Sequence, residues 1–135
     1  MMDLAAAKRR RQRLGRAGEN AACDLLRTSG MTILGRNWRC RAGELDIIAL
    51  DGTEIVFAEV KTMHLNPRFA PAWNLSQRQR RRNYFAAKCY LRALDITGLP
   101  GRFDLIEAVF FGPFLLRLSR QPGYLPPLPP RETAS

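Results

Sequence analysis

Two acidic residues and one lysine near the middle of the chain have the types and spacing of a site that binds a divalent cation. Glu59 and Lys61 lie two residues apart in a β-like run, so their side chains project from the same face of a strand. The Asp51-Gly52 pair before that run favours a tight hairpin, in which Asp46 is a diagonal neighbour of Glu59. A four-residue loop would instead place the two acids directly opposite each other. Both registers keep the carboxylates on one face of the sheet.

Two carboxylates at this separation can bind one hard cation through oxygen atoms, which favours Mg²⁺ or Mn²⁺. Without a cation they would repel each other, and one of them would tend to hold its proton. Glu19 is a candidate third acid, because it shares a helical face with Cys23 and Leu26 and should point towards the sheet. An acid that faces the core needs a partner. The metal site, Arg16 or a backbone cap would each serve.

Ordinary structural explanations exist for each of these residues. Exposed strands often alternate Glu and Lys for cross-strand pairing, so a Glu-x-Lys pair alone is weak support for a site. We interpret Glu44 and the single histidine, His64, as surface residues rather than as additional ligands. Trp38, Trp73 and Tyr84 have rings that could stack on nucleic-acid bases, but the core or rim of a small domain is the simpler location for them.

The charge of the chain is strongly positive and unevenly distributed. The formal net charge is +10, from 22 Lys and Arg against 12 Asp and Glu. Residues 43–66 contain five acids and one base, whereas residues 1–42 contain ten bases and three acids, and residues 67–102 contain eight bases and one acid. The acids could be the solvated face of a hairpin. The alternative is a division of labour in which the flanking bases hold phosphates and the central acids hold a cation.

The predicted contacts with nucleic acid are basic residues of the two helical segments. They are Arg16, Arg78, Arg81 and Lys88. Such residues contact the phosphate backbone of DNA or RNA and carry no base-specific information.

Length and composition predict one globular domain with tails. A chain of 135 residues with 46% hydrophobic and 25% charged residues is neither wholly disordered nor collagen-like nor a coiled coil. Its three widely spaced cysteines, Cys23, Cys40 and Cys89, form no disulfide framework and no paired zinc ligands, which favours a reducing cytoplasm. The longest apolar stretch, 108–116, is broken by glycine and proline, so we expect neither a secretion signal nor a membrane span.

Hydrophobic periodicity and turn residues predict the elements that position the candidate site. The pattern predicts a helix over 19–29, strands over 32–38, 44–50 and 54–61, an ordered loop over 66–75, a helix over 77–94 capped by Ser76, and strands over 103–110 and 114–118. This order favours an α/β fold with a central mixed sheet flanked by helices. We expect residues 14–120 to form the domain, with a flexible basic segment at 1–13 and a Pro-rich disordered tail at 121–135.

The residues named above belong to a series of short motifs that carry a family resemblance. The motifs are Gly15-Arg16-Ala17-Gly18-Glu19, Arg36-Asn37, Gly43-Glu44-Leu45-Asp46-Ile47-Ile48-Ala49, Asp51-Gly52, Phe57-Ala58-Glu59-Val60-Lys61 and Arg102-Phe103-Asp104. Over about residues 14–110 the chain resembles the YraN family of bacterial proteins. That family is similar to archaeal Holliday junction resolvases, within the PD-(D/E)xK nucleases of restriction-endonuclease-like fold.

The resemblance implies a role for each matching residue. Asp46 would be the motif aspartate, Glu59 the second carboxylate, Lys61 the motif lysine and Glu19 the acid of the first helix. The implied metal ligands are Asp46, Glu59, Glu19 and the carbonyl of Val60. Two positions depart from the pattern: Leu45 stands where the superfamily has proline, and Gln79 stands where family members often have lysine.

The function implied by the resemblance is a Mg²⁺- or Mn²⁺-dependent endonuclease acting on DNA, including branched or junction DNA. A resolvase-like enzyme needs two active sites to cut two strands, so the resemblance also implies a homodimer. The main alternative is a protein of the same fold that binds nucleic acid without cutting it. A weaker alternative is an adaptor whose Pro-rich segment, 122–130, binds a protein partner.

Overall fold

The computed structural model describes residues 3–65 and 75–133, and within them two helices and five strands follow one another along the chain. The elements in chain order are α1 (Leu4–Thr28), β1 (Thr32–Arg39), β2 (Glu44–Asp51), β3 (Glu54–His64), α2 (Gln77–Ala93), β4 (Gly101–Phe111) and β5 (Phe114–Pro122). The predicted strand β5 is thus present. The predicted loop at 66–75, with Trp73, lies almost entirely outside the described residues.

The five strands form one mixed sheet in the order β1-β2-β3-β4-β5. Only β3 and β4 are parallel, and α2 provides the crossover between them. The two helices cover opposite faces, because Ile55 and Phe57 belong to the core beneath α2, whereas Val56 and Ala58 belong to the core beneath α1. The prediction of a restriction-endonuclease-like α/β fold, with a central mixed sheet flanked by helices, is therefore confirmed.

The β2–β3 hairpin turns one residue later than the favoured prediction. Asp51 pairs with Glu54, so Gly52 and Thr53 are the central residues, and Gly52 has a φ of +60°. The diagonal arrangement expected from an Asp51-Gly52 turn is wrong. The observed register, extended by one residue beyond the Ile47–Ala58 pair, places Asp46 directly opposite Glu59.

Helix α1 begins well before the predicted segment. The Asp3 carboxylate caps it by accepting a hydrogen bond from the Ala6 N–H at 3.1 Å, and Gly30, with a φ of +91°, follows its end. The expectation of a flexible segment at 1–13 differs from the structure for residues 4–13, which are helical. The reason is that alanine and arginine are strong helix formers and Asp3 supplies a cap.

Helix α2 follows the prediction closely. The Ser76 hydroxyl accepts a hydrogen bond from the Gln79 N–H at 3.1 Å, as expected of an N-cap. Its buried face, which includes Ala86, Ala87 and Leu91, packs on the sheet. The opposite face is therefore left to solvent, together with most of the basic residues of the helix.

The Pro-rich segment after β5 packs on the core instead of forming the expected disordered tail. Tyr124 and Leu128 are 8% and 3% exposed, and both belong to the core beneath α2. Leu128 exchanges backbone hydrogen bonds with Gly101 at 2.9 Å in both directions. Arg131 donates to the carbonyls of Leu91 and Ile96 at 3.0 and 2.9 Å. Proline suits this extended path, and two apolar side chains hold it in place.

All three cysteines are free. Across residues 3–65 and 75–133, neither helix is both long and apolar enough to cross a membrane.

Candidate active site

The candidate site lies where β2 and β3 separate. Their backbone ladder ends at the Ile47–Ala58 pair, and in its place the Asp46 carboxylate accepts the Val60 N–H at 2.9 Å. The N–H and C=O of one strand residue point to the same edge, so the Val60 carbonyl also faces the gap beside Asp46. The separation of the strands therefore exposes a carboxylate and a backbone carbonyl to one cleft.

A local break in strand alternation turns Asp46 into this gap. Leu45 packs in the core beneath α2, whereas Ile47 packs beneath α1, although residues two apart in a regular strand share a face. On the neighbouring strand, Asn37 lies opposite Asp46 and has a φ of +51°. The irregularity therefore spans both strands at the level of the candidate ligand.

The Asp46 and Glu59 carboxyl groups lie side by side in the lining of the cleft, where Glu59 is buried and Asp46 is half-buried. Burial raises the pKa of Glu59 to about 8, and the charge of Asp46 and a hydrogen bond between the two groups act in the same direction. Burial also raises the pKa of Asp46, against the opposing effect of the Val60 N–H. At neutral pH the pair therefore shares one proton and carries less than two charges. This is the behaviour of an acid pair whose repulsion a bound cation would relieve.

Lys61 lies on the same face of β3 and adds a cation to the acid pair. Its Nζ atom is 3.6 Å from Oε1 of Glu59, and about a third of the side chain is exposed. The ion pair opposes the rise in the pKa of Glu59 without cancelling it. The ammonium group therefore stands between the buried acids and the open side of the cleft.

Glu19 reaches the same cleft but is held by other partners. Asn37 donates to its carboxylate at 3.2 Å, and a guanidinium nitrogen of Arg36 is 3.6 Å away. The partner of this inward acid is thus neither Arg16 nor a backbone cap. In the part of the chain that the structure describes, no group of three or more His, Cys, Asp or Glu side chains is spaced to hold a metal ion. The structure therefore brings Asp46 and Glu59 together and leaves Glu19 beside them.

The cleft has a volume of about 360 Å³ and receives residues from both helices. It is lined by Gly15, Glu19, Glu44, Asp46, Glu59, Val60, Lys61, Thr62 and Gln79. Helix α1 reaches it because Gly18 lets the helix approach β3, where any larger side chain would clash with the Thr62 hydroxyl. Glu44 is half-buried at this opening, and its carboxylate is 3.6 Å from Arg39. Glu44 is therefore not a plain surface residue, as the sequence suggested, but one of the residues that line the cleft.

The basic residues predicted to contact nucleic acid are exposed but do not line this cleft. Arg16 directly follows Gly15 and Arg78 directly precedes Gln79, and both Gly15 and Gln79 line the cleft. Arg81 and Lys88 lie further along α2, on its outer side. The first two are therefore next in sequence to residues of the cleft, whereas the last two are not.

The remaining aromatic and histidine residues have structural surroundings. Trp38 packs edge-to-face against Tyr90, with ring centroids 5.4 Å apart. Tyr84 stacks on Phe103 at 5.6 Å, so it belongs to the rim of the core as expected. His64 is exposed, and its Nε2 accepts a hydrogen bond from the Gly112 N–H at 3.2 Å.

A hydrogen-bonded chain behind the acids was missed at the sequence level. The Gln79 amide donates to Asn83 at 3.1 Å, and Asn83 donates to the Tyr124 hydroxyl at 3.0 Å. Asn83 and Tyr124 line a small buried space together with Asp46 and Glu59. The available signal was Asn83 itself, a polar residue on the apolar face of α2. Tyr124 gave none, because it lies among prolines.

Comparison with known proteins places this chain in a family. Residues 18–108 match the model of the family described as "Uncharacterised protein family UPF0102". A UPF0102 protein of Oleidesulfovibrio alaskensis is 49% identical over 92 residues, which are 68% of this chain and 46% of that protein. One of Hahella chejuensis is 39% identical over 69% of this chain and 75% of its own length. One of Symbiobacterium thermophilum is 42% identical over 71% of this chain and 81% of its own length. The chain belongs to the UPF0102 (YraN) family.

Proposed function

We propose that this protein is a Mg²⁺- or Mn²⁺-dependent endonuclease that hydrolyses phosphodiester bonds in DNA, including branched DNA. The observation that carries the proposal is that Asp46 and Glu59 line one cleft at the opening between β2 and β3, with Lys61 beside Glu59. Family membership does not specify a reaction, so the proposal depends on this geometry. The expectation of a homodimer, which would supply a second cutting site, belongs to the same proposal.

The donor set at the opening fits a hard divalent cation. Asp46, Glu59 and the Val60 carbonyl all offer oxygen atoms at one point of the cleft, and the two carboxyl groups repel each other there. When bound, such an ion would polarise a phosphate and lower the pKa of a bound water. Glu19 would bind a second ion if it released its contacts with Arg36 and Asn37, or would orient water while keeping them.

The other residues of the cleft position the phosphate. The Lys61 ammonium is exposed towards the opening and can donate to a non-bridging phosphate oxygen, where negative charge accumulates during hydrolysis. The Gln79 amide is held by Asn83 with its nitrogen as donor. Arg16 and Arg78, which are exposed and next in sequence to residues of the cleft, would contact the flanking phosphates of the backbone.

A cleavage panel of branched and linear DNA with Mn²⁺ tests this proposal. We expect the wild-type protein to cut at least one substrate in Mn²⁺ and none in EDTA. Lys61→Ala should lose cleavage while binding of the same DNA in EDTA survives. The matched control is Lys8→Ala, which removes an exposed lysine of α1 outside the lining of the cleft. Cleavage that is unchanged in Lys61→Ala would rule out the proposed site.

One observation favours the second candidate, a protein that binds nucleic acid without cutting it. Glu19 is engaged by Arg36 and Asn37, and among the described residues no three acids are spaced to hold one metal ion. Binding that persists in EDTA, with no cleavage of any substrate in Mg²⁺ or Mn²⁺, would support this candidate over the nuclease.

A further inference from the structure

The outward side of α2 is a dense positive surface with an aromatic residue at its centre. The helix has six basic and no acidic residues over its 17 positions. We call the side of the helix away from the sheet the outer face of α2. It consists of five basic residues and one phenylalanine, all of them exposed: Arg78, Arg81, Arg82, Lys88, Arg92 and Phe85. The face is continuous, because these residues recur at intervals of three and four along the helix.

Phe85 is held in a fixed position although half of it is in water. Its relative exposure is 51%. One side of the ring packs edge-to-face against Tyr84, with centroids 6.0 Å apart, and Tyr84 is itself stacked on Phe103 of the core. The Lys88 ammonium lies 5.9 Å from the centroid of Phe85 and 5.5 Å from that of Tyr84. The outer side of an anchored aromatic ring is therefore presented to solvent among cations.

The positive charge of this face is not neutralised by acids of the described chain. No ion pair among residues 3–65 and 75–133 involves Arg78, Arg81, Lys88 or Arg92. Arg82 uses its Nε to bind the Ala42 carbonyl at 3.4 Å, which also leaves its charge uncompensated. Such a surface attracts polyanions strongly at low salt.

The outer face of α2 combines positive charges with an exposed aromatic ring, and this combination favours single-stranded over double-stranded nucleic acid. A duplex offers phosphates but keeps its bases stacked inside, so an exposed ring gains little from it. A single strand offers phosphates together with unpaired bases, whose flat faces stack on aromatic side chains. We infer that the outer face of α2 binds single-stranded nucleic acid, with Phe85 stacking on an unpaired base and the surrounding arginines and Lys88 holding the phosphates.

The position of this face gives the inference a consequence for the cleft. Helix α2 is about 25 Å long, and Arg78 at its start adjoins Gln79, which lines the cleft. A single strand leaving the cleft can therefore run along the helix past Phe85. That the substrate is a branched DNA with an unpaired arm rests on the proposed nuclease function. That the outer face of α2 binds a single strand does not rest on it.

Fluorescence anisotropy in EDTA tests the binding directly. A labelled 20-nucleotide oligothymidine and a labelled 20-base-pair duplex would be titrated with wild-type, Phe85→Ala and Phe85→Tyr proteins at one salt concentration. We expect Phe85→Ala to weaken oligothymidine binding roughly 5- to 100-fold and to change duplex binding less than twofold. Phe85→Tyr should retain wild-type affinity. The matched control is Phe114→Ala, which removes a ring that is 68% exposed on β5, and it should bind as the wild type.

Several results would overturn the inference. Oligothymidine binding by Phe85→Ala at wild-type strength, or an equal loss for duplex and single strand, would remove the stacking role. Vesicles rich in phosphatidylserine that displace the oligonucleotide through the same residues would indicate a membrane surface instead. Phe85-dependent binding by a wild-type protein that never cleaves DNA would support the inference and overturn the nuclease. A protein that cleaves, but whose Phe85→Ala variant binds normally, would overturn the inference alone.

Discussion

Asp104 and the Asp46–Glu59 pair are acids of the same sheet with opposite surroundings. Asp104, which is fully buried, receives two hydrogen bonds from Arg102 at 2.8 and 3.1 Å, and Arg120 lies 3.6 Å away. Among the described residues, the one cation that forms an ion pair with the Asp46–Glu59 pair is Lys61, whose Nζ is 3.6 Å from Glu59. Asp104 pairs with Ala58, one residue before Glu59, yet strand alternation places the two acids on opposite faces. Burial of an acid alone therefore does not mark a site, whereas two neighbouring carboxyl groups that share one lysine at the opening of a cleft do.

The Arg102 cluster is built for stability. Arg102 also contacts Glu54 at 2.6 Å and Asp51 at 3.3 Å, on either side of the β2–β3 turn. Its hydrogen bonds to Asp104 raise the pKa of Arg102 further. The cluster thereby attaches β4 to the hairpin that carries both candidate ligands. It supports the site by fixing the hairpin and takes no part in the cleft.

The largest effect expected from this comparison is on cleavage. Asp46→Asn should reduce Mn²⁺-dependent cleavage by about 1,000-fold, because it removes a charged ligand of the proposed ion while leaving an oxygen to accept the Val60 N–H. Stability in urea should change little. The control is Asp24→Asn, an exposed acid of α1. Cleavage that survives in Asp46→Asn, or a large loss of stability, would show that Asp46 is a structural acid like Asp104.

The next largest effect is on the free energy of unfolding, when Asp104 is replaced. Asp104→Asn should lower the free energy of unfolding by about 3 kcal/mol, because the Arg102 cluster loses its buried counter-charge. Urea denaturation at pH 8 measures it. Glu59→Gln removes the buried carboxylate of the Asp46–Glu59 pair and should leave the free energy of unfolding unchanged or raise it. Equal destabilisation by both substitutions would remove the distinction between Asp104 and the Asp46–Glu59 pair.

A gradual effect, spread over several pH units, is the dependence of stability on pH. Burial raises the pKa of Glu59 from 4.5 to about 8, so the folded protein binds this proton more tightly than the unfolded chain. Stability should therefore fall as pH rises from about 4.5 to about 8, by at most roughly 1.4 kcal/mol per pH unit. The difference between wild-type and Glu59→Gln unfolding free energies across this range isolates the contribution. A difference that does not vary with pH would contradict the buried acid pair.

The hairpin that carries the acids was predictable because its logic is local. Side-chain alternation predicts that Asp46, Glu59 and Lys61 share one side for either hairpin register, so an error in the turn did not change which residues were selected. The break in alternation at Asp46 was not predictable from this pattern. The partners of Glu19 were not predictable in the same way. Arg36 and Asn37 meet it only through the packing of α1 on β1, and the left-handed conformation of Asn37 has no distinctive signal in the sequence.

The segment after β5 shows the limit of composition as a guide. Its prolines indicate an extended chain, which is correct, but they say nothing about whether that chain packs. Burial of Tyr124 and Leu128 depends on a groove formed by α2 and β4, which are distant in sequence. In the same way, the short basic run before the predicted first helix gave no indication that Asp3 would cap a helix there.

Tyr124 also provides the smallest predicted effect, and the one that connects the segment after β5 to the acids. Tyr124→Phe removes the hydroxyl that accepts the Asn83 amide at 3.0 Å, leaving a buried donor without its partner. We expect a loss of about 1 kcal/mol in the free energy of unfolding, measured by urea denaturation. Cleavage should also fall modestly, because Asn83 positions Gln79 in the cleft.

Tyr90→Phe is the control, since it removes the hydroxyl of another buried tyrosine of the same core. A stability loss that is matched by Tyr90→Phe, with cleavage unaffected, would mean that the chain from Tyr124 to Gln79 only fills space behind the acids. A fall in cleavage confined to Tyr124→Phe and Asn83→Ala would instead show that the segment after β5 helps to hold the cleft in its working shape. The Asp46–Glu59 pair would then depend on buried support from the segment after β5, as Asp104 depends on Arg102.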